Sequence, residues 1–344
     1  MVFFPNHMAI DLGTVNTLVY VKGRGVVLNE PTVVAMRTEH KEILAVGEDA
    51  RRMLGRTPGG IVAVRPMKEG VISDYDMTEI MLKYFIKKAS QSASPFGMRV
   101  KLIVCVPCGI TEVEKHAVEG AARAIGARDV FLMEEPVAAA IGAGLNISEA
   151  KGSLIVEMGG GTTEIAVISL GGIVVCKSLR TGGNHMDEAI AEYVKKQYNL
   201  IIGEMTAEQI KITLGSAYEA AKEEKMTVRG RNVQTGLPAE TVVHAAEIKE
   251  ALAAPVRKIL DALKLVMEQT PPELSADIIR EGIVISGGTA QLRGLNRLFA
   301  KETGIPVRIA NDPMACVACG AGLALSDYFE VKRLTAATAQ ESMV

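Results

Sequence analysis

The chain has 344 residues, 48% of them hydrophobic and 23% charged, with a formal net charge of −2. That is long for one ordinary domain and suits two, each able to bury its own core. The near-neutral balance excludes the basic field that bulk nucleic-acid binding needs, and no apolar run approaches the roughly 20 residues that cross a bilayer.

The opening, MVFFPNHMAIDLG, lacks a basic leader and is interrupted by Pro5, so it predicts a cytoplasmic protein without a secretory signal. HMAIDLG, NTLVYVKG and GVVLNEPTVVAM are short apolar runs punctuated by Gly, Asn and Pro, which predicts strands. Asp76 followed by Glu79 predicts a capped helix start, with Met77, Ile80, Met81, Tyr84 and Phe85 at helical spacing. KLIVCVP predicts a buried strand, and Thr111 with Glu114 caps a helix through about Ile125. DVFLMEE is again strand-like, and Pro136 opens a helix at a first-turn position where proline fits.

SLIVEMGGGTTEIAVISLGGIVVCKSL restarts the pattern. Helices follow over Met186–Tyr198 and Thr206–Leu214, then a hairpin at MTVRGRNVQTGL. Ala245–Gln269 predicts a long helix that Pro255 should end or kink. EGIVISGG is a strand meeting a glycine turn, AQLRGLNRLFAKE a helix, and Pro313–Leu325 the last periodic element before a polar tail. Alternating strands and helices make the expected class α/β.

Four of the five cysteines form CxxC pairs, Cys105/Cys108 and Cys316/Cys319. Both pairs sit in apolar or alanine-rich stretches without a polar knuckle, so buried small thiols are expected rather than zinc ligands, and Cys176 likewise. The histidines His7, His40, His116, His185 and His244 are scattered and predict surface or packing roles.

AIDLGTVNTLVYVKGRG and IVEMGGGTTEIAVISLGG superpose without a gap. Asp11 falls on Glu157, Gly13 on Gly159, Asn16 on Thr162 and Thr17 on Thr163. An acid-ended strand, a small-residue turn and a returning strand therefore occur twice, which predicts two related halves sharing a cleft. Turns of Gly, Thr and Asn expose backbone N–H groups that suit phosphate oxygens. The acids would repel phosphate but suit Mg²⁺, which prefers oxygen ligands. A third glycine turn lies at Ser286–Ala290, and no GxxxxGK[ST] loop is present.

At these residues the chain resembles the actin-like ATPase superfamily and, within it, the bacterial MreB/Mbl family. DLGTVNT resembles a first phosphate loop, EMGGGTTE a second and ISGGTAQLRGL an adenosine motif. LNEPTVVA, VGEDARRMLGRTPG, RPMKEGVI, EEPVAAAIGAGL and TPPELSADII extend the likeness from about Met8 to Leu325. It implies an actin-like (ribonuclease H-like) duplicated fold, two lobes each with a large and a small subdomain around a nucleotide cleft. The implied subdomains are IA (1–32, 66–145 and 312–344), IB (33–65), IIA (146–181 and 245–311) and IIB (182–244).

The resemblance implies ATP or GTP with Mg²⁺ held at Asp11 and Glu157 through water. Gly13, Thr14, Val15 and Asn16 would contact phosphate from one side, and Gly159, Gly160, Gly161, Thr162 and Thr163 from the other. Glu208, Gln209, Ile210 and Lys211 fall at base and ribose, and Gly287, Gly288, Thr289 and Ala290 over the adenosine. Glu135 matches the residue that positions the attacking water, with Thr162 as its partner and Asp187 as an outer-shell acid. Glu134 competes with Glu135, and Glu208 with Lys211 could equally be a solvated surface pair. Two departures stand out: Glu157 where the second loop usually begins with Asp, and Thr289 where a third glycine is common.

The family polymerises into filaments, commonly antiparallel pairs, on the inner face of the cytoplasmic membrane, and organises cell-wall elongation. The implied partners are thus further copies of the chain, the membrane surface and the elongation machinery, with no nucleic acid. Val113 falls at the family's filament-pairing face, or else in the core. Phe3, Phe4, Phe96 and Met98, flanked by Lys87, Lys88, Arg99 and Lys101, form apolar tips among basic residues and suit shallow insertion into anionic lipid. A metabolite kinase or a chaperone-type ATPase of the same superfamily is the alternative. Either would need an additional substrate-binding segment.

Overall fold

The computed structural model describes residues 7–90, 100–219 and 223–325. Phe3, Phe4, Phe96 and Met98 lie outside the described residues. The chain divides into two compact units, residues 1–146 with 315–344, and residues 147–314. Among the described residues no helix is long and apolar enough to cross a membrane.

The first unit opens with β1 (His7–Leu12), β2 (Asn16–Val21), β3 (Gly25–Pro31), β4 (Val34–Arg37), β5 (Glu42–Val46) and α1 (Glu48–Arg51). It continues with β6 (Ile61–Val64), β7 (Met67–Lys68), β8 (Val71–Ile72) and α2 (Tyr75–Ser90). β9 (Val100–Val106), α3 (Glu112–Ala124), β10 (Ala127–Glu134) and α4 (Glu135–Gly142) follow, and residues 316–325 add a helix. Its main sheet has the order β10-β9-β1-β2-β3, with a smaller sheet β5-β4-β6. The strand period of two puts Met8, Ile10 and Leu12 on one face of β1 and Asp11 on the other. That first face packs on Met77, Met81 and Phe85 of α2 and Val118, Ala121 and Ala122 of α3.

The second unit comprises β11 (Ser153–Met158), β12 (Thr163–Ser169), β13 (Gly172–Leu179), α5 (Gly183–Tyr198), β14 (Leu200–Ile201) and α6 (Glu204–Leu214). β15 (Lys225–Asn232), β16 (Pro238–His244), α7 (Ala245–Gln269) and α8 (Pro272–Glu281) come next. It closes with β17 (Ile283–Ser286), a 3₁₀ turn (Gly288–Gln291), α9 (Leu295–Thr303) and β18 (Val307–Ile309). Its main sheet has the order β13-β12-β11-β17-β18, with a smaller sheet β14-β15-β16.

The two main sheets are the same sheet built twice. Each pairs its first hairpin antiparallel, then runs parallel to two later strands. The register repeats as well. Asp11 opposes Leu18 and Glu157 opposes Glu164, and every β1–β2 pair recurs as a β11–β12 pair moved along by the same 146 residues.

Several local expectations hold, and others need correction. The Thr111/Glu114 capping box, the Pro136 start and the β15–β16 hairpin are all present. The α2 cap is Asp74, whose carboxylate accepts from the Met77 N–H at 3.1 Å, so the helix starts a residue before Asp76. Tyr84 stands 43% exposed, because the buried stripe runs through Thr78, Leu82 and Ile86 rather than Ile80 and Tyr84. α7 does not end at Pro255, which lies buried inside the unbroken helix. The element expected over AQLRGLNRLFAKE is split, since Gly294 takes a left-handed φ of 73° before α9. Val113 is 79% exposed, which removes the core alternative. The alanine-rich stretch around Cys316 has a packing reason: a Cβ on Gly320 would overlap the Ala138 carbonyl, so this helix and α4 touch backbone to backbone. Cys105, Cys108 and Cys316 are buried, as small apolar residues would be, whereas Cys176 and Cys319 are only half-buried, against the expectation.

Candidate phosphate turns and nucleotide-contact residues

In the first unit, Asp11, Gly13, Thr14, Val15 and Asn16 fall together at the β1–β2 turn. The turn is braced from β3 outward by Thr32. Its hydroxyl donates to the Gly13 carbonyl at 2.8 Å, and its N–H to the Val15 carbonyl at 2.8 Å. Among the described residues every peptide is trans, so a pinned carbonyl turns the N–H of the next residue the opposite way. Thr14 and Asn16 N–H are thereby directed off the Thr32 side. The Thr14 hydroxyl accepts from the Gly70 N–H at 3.0 Å. Burial alone, with no positive side chain to offset it, pushes the Asp11 carboxyl up to about 7.

Glu135 reaches the same edge by a different route. β1, β9 and β10 run parallel with Asp11 beside Cys105 and Cys105 beside Met133. Glu135 therefore starts α4 at the carboxyl ends of the strands, where open α/β sheets place their ligands. It is 7% exposed, whereas Glu134 is an exposed residue. Between the two acids, only Glu135 has the buried setting that a water-positioning carboxylate needs.

In the second unit the bracing comes from a helix. The Gly183 N–H donates to the Gly159 carbonyl at 3.0 Å and the Asn184 N–H to the Gly160 carbonyl at 2.8 Å. Thr289 adds its hydroxyl to the Gly159 carbonyl at 2.8 Å. By the same trans-peptide geometry, the Gly160 and Gly161 N–H groups point away from α5. This approach requires Gly182: a Cβ there would sit 2.6 Å from the Gly159 oxygen and 2.8 Å from that of Gly160. The sequence offered no signal for Gly182, because its reason lies 23 residues away in the turn. Thr162 and Thr163 are buried, and Thr163 donates to the Thr181 carbonyl at 2.7 Å.

The Glu157 carboxylate lies against Gly287, where a Cβ would come within 2.5 Å of Glu157 Oε1. Gly287 also takes a φ of 83°, so this corner needs glycine twice over. Gly288, Thr289 and Ala290 form the 3₁₀ turn just beyond, with Ala290 in the core.

Lys211 and Glu208 do not form a solvated surface pair. Lys211 Nζ donates to Asp187 Oδ2 at 2.9 Å and to the Gly183 carbonyl at 3.0 Å, in a pair whose side chains are 17% and 7% exposed. Burial pushes Asp187 up to about 6, against the opposing pull of Lys211, and the Glu208 charge adds to the rise. Asp187 Oδ1 is buried without a hydrogen-bond partner. Gln209 points away and donates to the Thr213 hydroxyl at 3.0 Å, and Ile210 is fully buried in the core. Of the four consecutive residues, the side chains of Glu208 and Lys211 alone face Asp187.

A model of the MreB/Mbl protein family matches residues 5–333. The chain belongs to the MreB/Mbl family. The cell shape-determining protein MreB of Escherichia coli is 53% identical over 326 residues, 94% of each chain. Mbl of Bacillus subtilis is 48% identical over 324 residues, 94% of this chain and 97% of its own. The crystal structure of MreB 5 of Spiroplasma citri bound to AMPPNP superposes with a TM-score of 0.90 at 36% identity, covering 96% of this chain and 98% of that one. The fold of this MreB/Mbl member is accordingly actin-like.

Proposed function

We propose that this chain is a Mg²⁺-dependent ATPase that polymerises into filaments on the inner face of the cytoplasmic membrane and directs cell shape and cell-wall elongation. One observation carries the reading: the duplicated hairpins keep an acid and a donor-bearing turn at the same register in both units. The AMPPNP-bound relative from Spiroplasma citri supports an adenine nucleotide as the ligand.

The residues fit the ligand chemically. Asp11 is a half-buried carboxyl raised by desolvation, without a cationic partner contributing to its shift, and Gly287 beside Glu157 leaves no room for a Cβ. Asp11 and Glu157 would hold Mg²⁺ through water, and the ion when bound neutralises phosphate charge. The Thr14, Asn16, Gly160 and Gly161 N–H groups would bind phosphate oxygens. Glu135, with Thr162, would hold a water for attack on the terminal phosphorus, a task of positioning more than of covalent chemistry. Residues 33–65 and 182–244, each with its own small sheet, would be the smaller subdomains. Exposed Val113 on α3 supports a pairing face between filaments. Phe3, Phe4, Phe96 and Met98 would insert into lipid.

Sedimentation tests the whole reading. With Mg-ATP the protein should pellet and release phosphate, and with EDTA it should do neither. Anionic vesicles should carry it down, and a Phe3/Phe4/Phe96 triple alanine variant should stay in the supernatant. A wild type that binds no nucleotide and never pellets would overturn the proposal.

A further inference from the structure

We infer that Arg293 is a positioning residue that sets the base-side wall of the nucleotide site, an inference that rests on the nucleotide reading above. Arg293 follows the 3₁₀ turn Gly288–Gln291 by two residues, yet its guanidinium is spent on the far end of α6. Nε donates to the Gly215 carbonyl at 3.1 Å and Nη2 to the Thr213 carbonyl at 2.7 Å. Nη1 donates to Glu224 Oε1 at 3.0 Å, and Nη2 lies 2.8 Å from Glu224 Oε2. The backbone joins in. The Arg293 carbonyl accepts from the Ala217 N–H at 2.8 Å and from the Ser216 hydroxyl at 3.2 Å.

This is not core packing, because the Arg293 side chain is 45% exposed. Nor is it an isolated surface pair of little consequence. The carbonyls it takes are the unpaired ones at a helix C-terminus, where partial negative charge accumulates and a guanidinium makes charge-assisted bonds. The last turn of α6 is the turn closed by Gly215 N–H on the Lys211 carbonyl at 2.9 Å. Holding that turn fixes Lys211, whose ammonium is held in turn by Gly183 and Asp187. Arg293 thus ties the helix bearing Glu208 and Lys211 to the segment bearing Thr289, the two elements assigned to base and ribose. The Gly159–Thr162 turn keeps its two backbone donors from α5, the Gly183 and Asn184 N–H groups, which Arg293 does not touch. Loss of Arg293 should therefore loosen the grip on the nucleoside and leave the grip on the phosphates alone.

The test compares two ligands on the full-length chain below its polymerising concentration: Mg-ATP and magnesium tripolyphosphate, which lacks the nucleoside. Calorimetry on Arg293→Met should show ATP weakened about tenfold, the equivalent of losing about one charge-assisted bond, with tripolyphosphate unchanged. Arg293→Lys, which keeps the charge but not the fork, should fall between. Equal weakening of both ligands, or no change in either, overturns the inference, as does an Arg293→Met melting temperature that falls in step with the affinity loss. A wild type that binds neither ligand would instead remove the nucleotide reading itself.

Discussion

The β1–β2 turn and the β11–β12 turn share one register but are held by different means. Thr32 grips the first with one hydroxyl and one N–H, while the N-terminus of α5 grips the second with two N–H groups. The first turn keeps side chains at Thr14, Val15 and Asn16, and is bonded by Thr32 after β3 and by Gly70 in the β7–β8 hairpin. The second carries Gly159, Gly160 and Gly161 instead, and the backbone pressed against it demands glycine on the α5 side, at Gly182. Duplication therefore preserved the hydrogen-bonding geometry while the material around it diverged. The symmetry also breaks at the sheet edge: β10 ends in Glu134 and is followed by Glu135 of α4, whereas β18 is followed by Ala310 and Asn311.

The largest expected effect follows from that break. Glu135→Ala should slow phosphate release about a hundredfold, in the range of lost general-base positioning, with nucleotide affinity retained. Release at the wild-type rate would mean the acid's burial has another purpose. Next comes the bracing itself. Gly182→Ala places a methyl against two carbonyls, and ATP affinity should fall at least about tenfold as the turn gives way. An unchanged affinity would show that the α5 contact does not orient the turn.

A smaller change is expected from restoring the family's usual acid. Glu157 reaches roughly 1.5 Å further than Asp would, and Mg²⁺ tolerates little distortion of its shell. Glu157→Asp should therefore raise phosphate release a few-fold with similar binding, and an equal rate in stopped-time assays would end that account.

The smallest effect concerns where β11 begins. The Gly152 N–H donates to Asp277 at 3.0 Å, and that bond, then Arg280, holds the Asp277 carboxyl below its ordinary range. A carboxyl depressed in the folded state contributes stability above its unfolded pKa of about 3.9, and that contribution is lost as pH falls through the folded value. Asp277→Asn should melt lower than wild type at neutral pH, and the gap should close in acid. A gap that stays constant with pH would assign the loss to shape rather than charge.

Much of the fold was legible because its determinants are local. The gapless match of Asp11 to Glu157 needed only the sequence, and the Thr111/Glu114 box needed four residues. Local reasoning failed where two patterns overlapped, as at Asp74 and Asp76, where only the actual first turn decides which acid caps. Of the two outcomes expected at Pro255, an ending is excluded, because Leu252, Val256 and Ile259 bury the flanking turns and outweigh one missing hydrogen bond. At the candidate site, the Lys211–Asp187 pair, the Gly182 contact and the Arg293 clamp join residues 23 to 80 positions apart. No periodicity reports such pairings, and the surface-pair alternative for Lys211 named its nearer neighbour Glu208 where the structure has Asp187.

Pro255 also has a mechanical meaning. It offers no N–H to the Ala251 carbonyl, so α7 lacks one rung of its ladder midway along its length. A rod with one rung missing flexes more cheaply there than anywhere else. The long helix that follows the β14–β15–β16 sheet is thus stiff at both ends and compliant in the middle, a built-in bending point inside a single continuous element.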